Sequence, residues 1–304
     1  MPTVELKGRG TVAYQWSGEG PEVLVLVNGS VFNYHQWDTL ALPILQEELA
    51  GRCRILQYDY VGVGGSSAKD VPFRMLDLAD ELRDLLDALE VGPVHLLGIS
   101  KGSMVGQAFL FRHPERAKSF CGLGNPHLLS QHIGPTFAGF RERILALETL
   151  RDLWPQRIDK RNYPRVFNQV YVPALLGKSY QDLSLRERAR AYFIRRMVYP
   201  AMAGTFVQTM VDLFRYYVDE LGEEVPAYAE GLAQLRELPM LLLNGTADTT
   251  TPVEMSRELV QLLPGAELVE FEGVSHMEVM MVEKMGRPVF ERYVLFMNEV
   301  LGSS

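Results

Sequence analysis

The stretch VHLLGISKGSMVGQAFLFR, residues 94–112, decides the fold. A short apolar run, Val94 to Leu97, leads directly into Gly98-Ile99-Ser100-Lys101-Gly102, and a helix-compatible segment, Ser103 to Arg112, follows at once. A strand, a tight turn and a helix are predicted in that order. G-x-S-x-G has a steric meaning in this setting: the turn forces the serine into a strained backbone conformation, and only small residues two positions to either side avoid collision. Ser100 is then expected to project above the end of a sheet. A Gly-flanked serine can equally cap a helix, so the rest of the chain must choose between the two readings.

Working outward, apolar runs bounded by turn residues recur at Glu22 to Val27, Cys53 to Tyr58, Ser119 to Leu123, Pro239 to Leu243 and Ala266 to Phe271. Runs apolar on both faces suit strands buried between helix layers, the environment of a parallel sheet. Met75, Leu78, Leu82, Leu85, Leu86 and Leu89 fall on one face of a helix. The alternation predicts an α/β fold, a mostly parallel sheet flanked by helices, with ligands at the carboxyl ends of the strands. From Pro126 to about Leu235 the pattern becomes aromatic-rich and helical, with segments such as Leu183 to Tyr199 and Thr205 to Val218, and reads as an inserted helical subdomain. Residues 1–125 and 236–304 then form the core and 126–235 the insertion.

Composition narrows the function classes. The 304 residues are 47% hydrophobic and 22% charged, a globular balance with length enough for a substantial core. Thirty Lys+Arg against thirty-eight Asp+Glu give a net charge of −8, which argues against nucleic acid as a partner. Cys53 and Cys121 are the two cysteines, so neither a disulfide framework nor a cysteine zinc site is expected. Met1 to Gly20 lacks the apolar core of a signal peptide and no apolar run reaches about 18 residues. A soluble, cytoplasmic protein without a membrane span is expected. Arg141 to Arg196 holds thirteen Lys+Arg against six Asp+Glu, a basic segment in an acidic chain. It reads either as solvated helix faces or as a basic rim for an anionic substrate.

A serine hydroxyl needs a base to take its proton and a carboxylate to orient that base. His276, in Gly273-Val274-Ser275-His276, follows the last strand-like run, and Asp248, in Asn244-Gly245-Thr246-Ala247-Asp248, follows the preceding one. The chain order Ser100, Asp248, His276 is the order a triad on such a sheet requires. An oxyanion also needs donors aimed where charge develops. The backbone N–H of Lys101 is one candidate and that of Ser30, in Asn28-Gly29-Ser30-Val31, the other, with Asn28, Gly29 and Val31 expected against substrate. Asn28-Gly29 can also be a plain turn.

Among the other histidines, His95 reads as a packed strand residue and His113 as a helix C-cap. His127 and His132 could line the cavity, with His127 taken as a substrate contact, and His35 could touch substrate. No His, Asp or Glu spacing suggests a metal, and no cofactor is expected. Gly62-Val63-Gly64 begins like a dinucleotide fingerprint, but Ser67 stands where glycine is needed; Gly177-Lys178-Ser179 resembles the end of a phosphate loop, but Val172 stands where that loop needs glycine.

Asn28-Gly29 after a strand, Asp59-Tyr60-Val61-Gly62-Val63-Gly64-Gly65-Ser66, Gly98-x-Ser100-x-Gly102, Asp248 and Gly273-x-x-His276 together resemble the α/β-hydrolase superfamily with a helical cap, over essentially the whole chain. Asn28 stands where most members carry His, a departure that changes what supports the loop. Asn-Gly here and again at Asn244-Gly245 is similar to the acyltransferases that join 3-hydroxyacyl chains in rhamnolipid precursor synthesis. The resemblance implies a serine-dependent hydrolase or acyltransferase working through an acyl-enzyme, acting on an ester or thioester of an apolar acyl group, free or linked to CoA or a carrier. A lyase, a cofactor-free oxidative enzyme or a non-catalytic ligand-binding protein on the same fold are the competing readings, and a homodimer is compatible with all of them.

Overall fold

A computed structural model describes residues 1–67, 74–127, 129–173, 178–220, 231–232, 235, 238–263 and 265–302. Its centre is one sheet of eight strands, β1 (Thr3–Leu6), β2 (Gly10–Ser17), β3 (Glu22–Val27), β4 (Cys53–Tyr58), β5 (Val94–Ile99), β6 (Ala117–Leu123), β7 (Met240–Gly245) and β8 (Ala266–Phe271), in the order β1-β2-β4-β3-β5-β6-β7-β8. β1 and β2 pair antiparallel, as do β2 and β4; the remaining pairs are parallel. This is the mostly parallel α/β sheet the apolar runs predict. The N-terminal hairpin β1–β2 has no such run, and its residues are mostly half-buried rather than sealed on both faces.

The pleat divides the interior into two cores. On β3, Val23, Val25 and Val27 point into one cluster with Leu78, Leu82 and Phe109. Leu24 and Leu26 point into the other, with Leu45, Phe290 and Met297. Helices Met75–Ala88 and Lys101–Arg112 cover the first face, and helices Ala41–Glu48 and Glu283–Gly302 the second. The spacing of Leu78, Leu82, Leu85 and Leu86, all buried, is thus the stripe by which Met75–Ala88 seats on the sheet.

Between β6 and β7 the chain forms helices Ile133–Glu148, Tyr163–Val166, Leu185–Met202 and Val207–Arg215, with a π-helical turn at Phe167–Tyr171. Helix Leu185–Met202 starts at a capping box in which Ser184 and Glu187 satisfy each other's backbone donors. These helices are fastened to the loops at the carboxyl end of the sheet. Asn33 Nδ2 donates to the carbonyls of Pro200 and Ala203, both at 2.9 Å. Arg157 donates to the carbonyls of Gly64 and Ser66, Thr205 Oγ1 to Val31 and Thr209 Oγ1 to Gly62. Residue 236, where the sequence places the return to the core, lies outside the described residues.

Backbone meets backbone closely where helix Lys101–Arg112 meets β3. A methyl group on Gly102 would stand 2.0 Å from the carbonyl oxygen of Val27 and 2.8 Å from that of Asn28, and one on Gly98 would stand 2.3 Å from the carbonyl oxygen of Gly102. Both partners are backbone and have nowhere to go. Gly102→Ala is therefore expected to destabilise the fold by about 3 kcal/mol or more, at the upper end of ordinary overpacking costs, read as a lowered midpoint in urea unfolding. Gly139→Ala, where the added methyl meets nothing within 4 Å, is the control expected to shift that midpoint little.

Candidate active site

The steric pressure that Gly98 and Gly102 relieve is focused on Ser100. It holds φ 53° and ψ −118°, one of two non-glycine residues with positive φ among the described residues. Such a conformation costs on the order of 1–3 kcal/mol and persists only where surroundings impose it. Here they do: the Ser100 N–H donates to Leu123 O at 2.8 Å, and its carbonyl starts the helix by accepting from Ser103 and Met104.

Asp248 sits in the turn after β7 as an acceptor of four donors. Its Oδ1 takes the N–H groups of Thr250 and Thr251, each at 2.8 Å, and its Oδ2 takes Thr251 Oγ1 at 2.8 Å and His276 Nδ1 at 2.7 Å. Burial works to raise its pKa, but the charge and hydrogen bond of His276 and the Thr251 donors outweigh it and hold the carboxyl below its ordinary value. His276 follows β8 and the left-handed Gly273. A methyl group at Gly124 would approach its ring to 3.3 Å. With Nδ1–H given to Asp248, Nε2 is left to accept a proton. Ser100 and His276 line one cavity. No hydrogen bond joins them directly among the described residues, a bond that such sites commonly tighten only on binding substrate.

The two Asn-Gly pairs hold the loops around this cavity. Asn28 is fully buried, donating from Nδ2 to Tyr58 O at 2.6 Å and accepting from Trp37 Nε1 at 2.8 Å, while its carbonyl accepts from Tyr60 Oη at 2.9 Å. The side chain is thus a strut under the loop rather than a surface of the cavity. Val31 is core as well. Gly29 and Ser30 line the cavity with Lys101, the Gly29 N–H being held by Gln36 Oε1 at 3.2 Å. The Lys101 side chain runs inward, its ammonium 3.3 Å from the centre of the Tyr60 ring. On the far side Asn244 accepts from the Asn125 N–H and from Ser256 Oγ and donates to Thr251 O. It ties the ends of β6 and β7 to the turn that carries Asp248.

Two sequence expectations need correction. His127 is not among the lining residues: it is buried beside Glu258, Nε2 to Oε2 3.4 Å, and burial holds its imidazole well below the usual range. Pro126, its neighbour, faces the cavity instead. Asn28 and Val31 support the loop from below, as above. His35 does line the cavity, paired with Asp38 at 2.6 Å, a hydrogen bond that raises its pKa. Thr251 and Gln36 are absent from the sequence reading. The run Asp248-Thr249-Thr250-Thr251 carries the signal for the first, an aspartate capping its own turn. The cavity, its open mouth included, spans about 1370 Å³. Its walls are apolar, with Phe140, Phe167, Met197, Phe214 and Tyr217 from the inserted helices and Met277 and Met280 from the C-terminal part.

A strand-turn-helix serine after β5, an Asp–His pair after β7 and β8 and a helical insertion between β6 and β7 are the features of an α/β-hydrolase. The family model for the alpha/beta hydrolase fold matches residues 22–280, and the chain belongs to that family of enzymes. It is 27% identical over 268 residues to pimeloyl-[acyl-carrier protein] methyl ester esterase of Chromobacterium violaceum, covering 85% of this chain and 88% of that one. It is 23% identical over 269 residues to rhodomycin D methylesterase DauP of Streptomyces sp. (strain C5), covering 83% and 84%. The fold is also that of the enol-lactonase from Burkholderia xenovorans LB400, with a TM-score of 0.68 and 19% identity over 98% of this chain and all of that one. Among the described residues no cluster of His, Cys, Asp and Glu could hold a metal ion, and no helix is long and apolar enough to cross a membrane.

Asp59, beneath the same loops, gives a pH-dependent prediction. Its carboxylate accepts from the N–H groups of Tyr34 and Gly65, both at 2.8 Å. Burial pushes its pKa up to about 6 against the pull of those two donors, of His35 and of Arg157. Between about pH 4, where the unfolded chain ionises, and about pH 6 the folded state binds more protons, so this group's contribution to stability falls as pH rises, by up to about 3 kcal/mol. Subtracting the urea-unfolding free energy of Asp59→Asn from that of the wild type across pH 4–7 is expected to isolate that downward slope.

Proposed function

We propose that the protein is a serine hydrolase of carboxylic esters that works through an acyl-enzyme, with residues 126–235 acting as a cap that holds the acyl chain. Ser100 is the nucleophile, His276 the general base and then the general acid, and Asp248 the group that orients and stabilises the imidazolium. One observation carries this reading: a serine under backbone strain and a histidine locked to a buried aspartate at 2.7 Å open onto one apolar cavity.

In the forward half-reaction His276 Nε2 takes the Ser100 proton as Oγ adds to the ester carbonyl. The developing oxyanion is held by the N–H groups of Ser30 and Lys101, residues that line the same cavity, the Lys101 donor lying at a helix N-terminus. The tetrahedral species collapses, the alcohol leaves with the proton from His276, and the acyl group stays on Ser100. Water, activated by the same imidazole, then releases the acid. An alcohol acceptor in place of water makes the same machinery an acyltransferase.

The apolar walls suit an aliphatic or aryl acyl group. Two of the full-length relatives are named as methyl ester esterases, which supports a small alcohol as leaving group. The basic outer faces of the cap suit a donor carried on CoA or an acyl carrier as a second substrate form.

Ser100→Ala is expected to lower kcat on p-nitrophenyl esters by about 10⁴-fold or more with the unfolding midpoint preserved, and Asp248→Asn by about 10³–10⁴-fold through loss of the correct tautomer. A fluorophosphonate should label Ser100 alone, read by mass spectrometry. Near-full activity of Ser100→Ala overturns the mechanism.

A further inference from the structure

The inserted helices place one charge in the cavity that no carboxylate answers among the described residues. Arg143, on helix Ile133–Glu148, lines the cavity with Ser100 and His276. Its guanidinium lies 5.0 Å from the centre of the Phe140 ring and 5.7 Å from that of Phe214, and its Nε is sealed from solvent with no acceptor. Several other basic residues of the inserted helices do have partners: Arg151 and Arg215 pair with Glu148, Arg165 with Asp152, Lys178 with Glu187, and Arg157 holds backbone carbonyls. No carboxylate pairs with Arg143 among the described residues, and no Asp or Glu is among the described lining residues. The aromatic faces offset part of the desolvation cost but give the N–H donors no acceptor. A desolvated cation with an empty donor is costly unless a ligand completes it.

We infer that Arg143 is an anion subsite, and that the preferred substrate is an ester carrying a carboxylate at the end of its acyl chain, a half-ester of an aliphatic dicarboxylic acid. The ester end lies at Ser100, the methylenes against the apolar wall, and the free carboxylate on the guanidinium. Tyr171, on the cavity wall and near enough to feel the Arg143 charge, supplies a second donor. The N–H fork fits a carboxylate bidentately, so lysine should replace it poorly.

This inference rests on the esterase reading, and the test separates the two. Mono-p-nitrophenyl adipate and p-nitrophenyl hexanoate are matched in length and differ in a carboxylate against a methyl group. Wild type is expected to favour the adipate half-ester in kcat/KM, and Arg143→Met to lower the ratio of the two by about 10–100-fold, the range for loss of a charged hydrogen-bond partner, with Arg143→Lys recovering part of it. A ratio unchanged within about threefold in Arg143→Met means that Arg143 only braces the aromatic cluster, and overturns the subsite. Calorimetric titration of Ser100→Ala with monoethyl adipate gives a readout free of turnover: binding that disappears in the Ser100→Ala, Arg143→Met double variant supports the subsite even if neither ester is hydrolysed, an outcome that would sink the esterase reading alone. Equal binding by both variants overturns the subsite.

Discussion

The contact on which the rest depends is the near-touch of helix Lys101–Arg112 and β3 at Gly102. Val27 pairs with Gly98 in the sheet, and the helix leaves β5 so steeply that its first turn presses on the carbonyls of Val27 and Asn28. That approach leaves Ser100 no relaxed conformation, and it also sets the Gly29–Ser30 loop beside the start of the helix. Backbone strain at the serine and the closeness of that loop to the helix are therefore one consequence of a single packing decision. Loosening the helix would relax the first and part the second together.

Charges around the site are managed by how many donors each is given. Asp248 has four and stays ionised despite burial; Asp59 has two backbone donors and holds its proton to about pH 6. The two carboxylates lie at the ends of different strands, one facing a histidine and one bracing loops, so the same residue type in a similar degree of burial serves orientation in one place and conformation in the other.

Most of the sheet was legible because its central strands, β3 to β7, are largely sealed on both faces. Cys53 to Tyr58 is a strand with the bounds its apolar run suggests, and so is Ala266 to Phe271 although β8, at the far edge, is only half-buried; β1 and β2 carry no such run. Ser100, Asp248 and His276 could be singled out because each stands just past a strand end, where turn chemistry is local. The lateral contacts were not legible: His127 and Pro126 are adjacent in sequence, and only packing against Glu258 decides which one turns away from the cavity. Arg143 was hidden for a related reason, since thirteen basic residues between Arg141 and Arg196 look alike in a string and differ only in which of them meets a partner.

The seam between the inserted helices and the sheet has an evolutionary corollary. Asn33, Arg157, Thr205 and Thr209 all reach across it to main-chain oxygens. A carbonyl is present whatever the residue, so the fastening tolerates drift on its receiving side. Side chains on the inner wall can then be exchanged without unseating the roof, so the cavity can be reshaped while the strand ends beneath it keep their places.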